Sequence, residues 1–64
     1  MKYLISFPDD SRTIWEADSP QEAASESMSF HGYYEVDVYP PPFNEAKHEP
    51  ADEGGCITFK RRCR

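Results

Sequence analysis

Asp18-Ser19-Pro20-Gln21-Glu22-Ala23-Ala24 decides the fold, because several independent local rules agree there on one conformation, the start of a helix. The Ser19 hydroxyl can accept from the Glu22 amide while the Glu22 side chain returns to the Ser19 amide, a reciprocal capping box. Pro20 falls at the first helical position, where a missing N–H costs nothing, and two alanines follow it. Asp18, Glu22 and Glu26 place negative charge near the partly positive end of the helix. The helix is expected to run from Ser19 to about Phe30. Its buried stripe is Ala23, Ala24, Ser27 and Met28, with Phe30 at the end, while Gln21, Glu22, Ser25, Glu26 and Ser29 look outward. His31-Gly32 closes it, since glycine suits the left-handed position past a last turn.

On the N-terminal side, Tyr3 to Phe7 alternates Tyr3, Ile5 and Phe7 against Leu4 and Ser6 and reads as a strand. Pro8-Asp9-Asp10-Ser11 is a turn. Arg12 to Ala17 returns as a second strand, with Thr13, Trp15 and Ala17 opposite Ile14 and Glu16. Whether Ile14 or Trp15 faces the core stays open, because a slip of one residue inverts a strand.

On the C-terminal side, Tyr33 to Tyr39 gives the clearest alternation. Tyr34, Val36 and Val38 share one face, and Tyr33, Glu35, Asp37 and Tyr39 share the other. Pro40-Pro41-Pro42 stops this strand and favours an extended polyproline segment. Phe43 to Gly55 has little to bury and reads as part of a long mobile loop over about 40–55. Cys56 to Lys60 is a possible late strand with Ile57 and Phe59 inward, and residues 60–64 form a basic tail. The expected architecture is a single α+β domain over 1–64: a small antiparallel sheet, ββαβ with a possible fourth C-terminal strand, and one helix packed on one face.

Such a short chain buries only about 60% of its extended surface, which leaves no room for a deep catalytic cleft. Charge is divided unevenly. Residues 1–53 hold all twelve acids and only Lys2, Arg12 and Lys47, whereas 54–64 hold Lys60, Arg61, Arg62 and Arg64 and no acid. An acidic body repels nucleic acid and attracts basic surfaces, so the basic groove of a larger protein is a better partner than free DNA or RNA. Met1-Lys2 leads directly into the first strand, and no run reaches the length of a membrane span. A cytoplasmic protein with reduced cysteines, monomeric when free, is therefore expected.

Little here points to chemistry. His31, His48, Cys56 and Cys63 could complete a Cys₂His₂ zinc site, but no two of them have the close spacing that brings ligands together, and no metal or cofactor is expected. A Cys56–Cys63 disulfide is the other pairing open to the thiols. Serines, histidines and acids are scattered over turns and exposed faces, with no glycine-rich phosphate loop leading into a helix, so an enzyme is not expected. The acids on regular structure are more informative. Glu22 and Glu26 form a row on the helix, and Glu35 and Asp37 project from one strand face between Tyr33 and Tyr39. Such rows can meet a basic groove or imitate a phosphate backbone; equally, they can be a hydrated outer face. Lys60-Arg61-Arg62 with Arg64 can clamp an acidic element or phosphate on a partner, or fold back on Glu45 to Glu53.

The order of these elements resembles a known family. The residues that carry the likeness are Asp18-Ser19-Pro20-Gln21-Glu22-Ala23-Ala24 and Gly32-Tyr33-Tyr34-Glu35-Val36-Asp37-Val38-Tyr39-Pro40, roughly the middle third of the chain. In them the chain resembles the small T7-type phage inhibitors of bacterial RNA polymerase, the gene 2 protein family. That resemblance implies a ββαβ inhibitor that wedges against the polymerase through an acidic strip, here Glu22, Glu26 and Glu35. It also implies arginines on the strand after the helix. Asp37 and Tyr39 stand in that stretch here, and only Arg61, Arg62 and Arg64 can substitute. The expected function is inhibition of a host nucleic-acid enzyme, RNA polymerase first, through Glu22, Glu26, Tyr33, Glu35, Asp37, Tyr39, Arg61, Arg62 and Arg64. Two alternatives carry different tests: an acidic DNA mimic against a repair, restriction or CRISPR nuclease, and a nucleic-acid accessory protein that acts through its basic tail.

Overall fold

A computed structural model of the chain describes residues 1–50 and 55–61. The capping stretch does what its chemistry dictates. Ser19, in extended backbone conformation, accepts from the Glu22 amide at 3.2 Å, Pro20 opens helix α1 (Pro20–His31), and Gly32 ends it in the left-handed region at φ 78°. Gly32 and Tyr33 both donate their amides to the Met28 carbonyl, which satisfies an otherwise orphaned acceptor. The return bond of the capping box, from the Ser19 amide to Glu22, is absent among the described residues.

Strands β1 (Lys2–Ser6) and β2 (Arg12–Glu16) form a hairpin in the register Tyr3↔Trp15 and Leu4↔Ile14. Its turn is closed by Phe7 and Ser11, with Asp10 in the left-handed region and the Asp9 carboxylate accepting from both the amide and the hydroxyl of Ser11. β3 (Glu35–Tyr39) pairs antiparallel with β1, and β6 (Ile57–Lys60) pairs antiparallel with β3. The sheet order is β2-β1-β3-β6, and the helix lies on one face. The expected α+β architecture, with its fourth strand, is the observed one.

The register settles the question left open on β2. Trp15 is opposite Tyr3 and therefore on the helix side, while Ile14 is opposite Leu4 on the far side. Tyr3, Ile5, Phe7, Val36 and Val38 meet Ala23, Ala24 and Met28 in the core. Three small buried residues, Ala23, Ala24 and Ser27, let the helix lie close on the sheet. The Ser27 hydroxyl, fully buried, donates to the Ala24 carbonyl, so no polar group is left unsatisfied there.

Three expectations are corrected. Phe30 is not the end of the buried stripe: it is 76% exposed, because it continues the outward row Glu22–Glu26 at the next turn. Tyr33 and Tyr34 exchange roles. The strand begins only at Glu35, after the left-handed glycine and a bend at Tyr34, so alternation does not extend back through them; Tyr33 packs on the core and Tyr34 is half exposed. Ile57 shares the inward face with Phe59 by register, yet it stays exposed because β6 is an edge strand.

The stretch read as a loop contains a small hairpin. β4 (Phe43–Asn44) and β5 (Glu49–Pro50) pair Phe43 with Pro50, and a cis peptide joins Pro41 to Pro42 ahead of them. Two tethers hold this hairpin to the sheet face opposite the helix: Lys2 to Glu45 at 3.5 Å, and the Arg12 guanidinium to the His48 carbonyl at 3.0 Å. Leu4 lies between Lys2 and Arg12 on that face and has no exposure, in keeping with a hairpin tethered across it at those two residues. Residues 51–54 of the expected loop and 62–64 of the expected tail lie outside the described residues.

Candidate partner-binding surface

The acids named from the sequence do not form one strip. Val36 and Val38 face the helix, so Glu35 and Asp37 project from the opposite face of the sheet, away from Glu22 and Glu26. They are also engaged within the fold. Glu35 is 3.4 Å from the Lys60 ammonium directly across the strand pair, and Asp37 accepts from the Thr58 hydroxyl at 2.7 Å. The strip of Glu22, Glu26 and Glu35 that the resemblance implies is therefore divided between two sides of the molecule.

The remaining candidates fall into separate places. Tyr33 is not on an outward face with Glu35; its ring stacks on Phe7 at 4.7 Å, and its hydroxyl donates to the Asp9 carboxylate. The Ser11 hydroxyl, the Tyr33 hydroxyl and the Ser11 amide together hold Asp9 down to about 2, and the same Asp9 bond pushes the Tyr33 phenol up. Tyr39 is half-buried on the far face, its phenol pushed up first by burial and then by the neighbouring Cys56 thiol, with Arg12 opposing. It lines an open depression with Arg12, Glu49 and Pro50. Arg61 donates its amide to the Tyr34 carbonyl and lays its guanidinium over the Tyr34 ring, 5.5 Å from the centroid. Arg62, Arg64 and Cys63 lie outside the described residues, which leaves the tail's binding role and the Cys56–Cys63 pairing beyond description. His31 and His48 are apart, one among aromatic rings and one in the small hairpin.

What the fold does bring together is a corner that the sequence reading did not single out. Trp15, at the edge of the sheet, meets Phe30 edge-on at 5.6 Å and His31 at 6.0 Å; His31 also meets Phe30 at 5.0 Å and Phe7 at 4.8 Å. The Trp15 indole N–H donates to Glu26 Oε1 at 3.0 Å. Glu22, Glu26 and Phe30 follow at steps of four residues, about 6 Å apart along the axis, so two carboxylates run into an exposed ring along one ridge of the helix. The Glu22–Glu26 row was legible as a spacing of four, but Phe30, expected in the buried stripe, was not read as its continuation. Trp15 was not legible there, because only the register of β2 against β1 brings it to the ridge.

Comparison of the chain with protein-family models, curated proteins and solved structures gives no match. What the coordinates define is a class: a small α+β domain in which one helix packs on a four-stranded antiparallel sheet. Among the described residues no helix is long and apolar enough to cross a membrane, and no three His, Cys, Asp or Glu side chains converge as metal ligands would.

Proposed function

We propose that this is a small phage-type regulatory protein that binds a bacterial host enzyme acting on nucleic acid, RNA polymerase first among them, and inhibits it by occupying a basic surface. It acts in the host cytoplasm, stoichiometrically, by steric and electrostatic occlusion, and catalyses nothing itself. The observation that carries this reading is the exposed ridge Glu22–Glu26–Phe30 beside Trp15, on a helix fixed at both ends by its caps. Carboxylates at fixed spacing next to an aromatic anchor suit a cationic protein surface, where buried aromatics give most of the affinity and charge gives rate and register. The engagement of Glu35 with Lys60 and of Asp37 with Thr58 favours occupancy through the helix ridge over imitation of a DNA duplex, which needs its anions arrayed together.

The test is direct. Purified bacterial RNA polymerase, titrated with the protein in a transcription assay at moderate salt, should lose activity to saturation at one equivalent, and tagged protein should recover the polymerase from a bacterial lysate. Full transcription at excess protein, together with recovery of no nucleic-acid enzyme from the lysate, ends the proposal.

A further inference from the structure

Phe30 is the most exposed large apolar side chain of the described residues, in a fold that buries or half-buries most of its other large apolar side chains. It does not stand alone. Trp15 meets it edge-on, and His31 lies against both rings, so the three make an aromatic corner at the end of the helix ridge. Glu26 closes one side of the corner. One of its oxygens accepts the indole N–H, which fixes the carboxylate and leaves its other oxygen free to accept. Glu22 stands one turn further along.

We infer that this corner is the seat of an arginine side chain from a partner protein. The inference rests on the reading above that the helix ridge is the binding face, and it names the chemistry the partner brings. A guanidinium is planar and weakly hydrated; it stacks on aromatic faces and offers a rigid fork of donors to a carboxylate. The corner presents both halves of that recognition within one residue's reach: rings to stack on, and an anchored carboxylate to receive the fork. A lysine ammonium, compact and strongly hydrated, uses the carboxylate but gains less from the rings. The fold applies the same chemistry internally, where the Arg61 guanidinium lies over the Tyr34 ring. The charge balance selects an external cation: the first 53 residues carry twelve acids and three bases. Lys60, a cation of the described residues, lies on β6, at the opposite edge of the sheet from Trp15 on β2, and is paired there with Glu35.

Trp15 is the only tryptophan, so its emission reports the corner directly. The full chain is titrated with hexa-arginine and with hexa-lysine at matched charge and physiological salt. The expected result is a saturable change in Trp15 emission, with hexa-arginine about tenfold tighter than hexa-lysine. E26Q keeps an acceptor for the indole but removes the charge, and F30S removes the exposed ring. Each should weaken hexa-arginine binding about tenfold with the wild-type melting temperature retained to within a few degrees. Equal affinity for the two peptides, or unchanged hexa-arginine binding in both variants, overturns the inference. So does a shift in Trp15 emission on replacing Arg62 and Arg64 with glutamine, which would place the chain's own tail in the corner. The two readings fail separately. Polymerase inhibition that is lost in E26Q and F30S, with no preference for hexa-arginine, removes this inference and leaves the proposed function standing. A preference for hexa-arginine in a protein that leaves polymerase untouched does the reverse.

Discussion

Leu4→Ala tests whether the far face of the sheet is roofed by the small β4–β5 hairpin. Leu4 has no exposure although it points away from the helix, between Ile14 on β2 and half-buried Tyr39 on β3. The substitution removes three carbons. At about 0.8 kcal/mol per buried methylene the transfer term alone is about 2 kcal/mol, and the space left beneath a hairpin tethered at Lys2 and Arg12 raises the loss to about 3 kcal/mol. A domain of 64 residues has only about 3–10 kcal/mol to lose. The melting temperature should therefore fall by more than about 10 °C. Urea unfolding is followed in parallel by far-ultraviolet circular dichroism and Trp15 emission, with the slope m checked for constancy. A loss below about 1 kcal/mol is what a half-exposed leucine would give, and it would refute the covering role assigned to the hairpin.

Two further outcomes follow from local geometry. Gly32→Ala meets no atom within 4 Å of its new Cβ, so its cost comes from backbone alone: φ 78° should make it about 1 kcal/mol less stable in the same urea experiment, with no change in m. Asp9→Asn should change the acid limb of stability. Asp9 sits at about 2 in the folded chain against an ordinary 3.8, so its contribution is complete above the ordinary value and is lost as pH falls towards 2; the variant's stability, measured by denaturant melts from pH 2 to 6, should lack that component.

The sequence by itself determined the helix and strands β1 to β3, with the inner face of most of them, whereas the β4–β5 hairpin lies in a stretch that reads as loop. Ser19, Pro20 and Gly32 fixed both ends of the helix, because capping and left-handed backbone are decided by residues within a few positions of each other. Alternation likewise placed Tyr3, Ile5 and Phe7 together and Val36 with Val38. Signals failed where a single break shifts the phase: the bend at Tyr34 turned Tyr33 inward to Phe7, and one further step of four carried Phe30 out of the stripe that ends at Met28. Only the tertiary structure decided which acids share a side. Strand register is a long-range choice, and it set Trp15 beside Glu26, Glu35 against Lys60 and Asp37 against Thr58. A carboxylate's neighbours across a sheet or between layers are far apart in the chain. No local rule on propensity, capping or spacing reaches them, so the candidate surface became visible only once helix and sheet were packed.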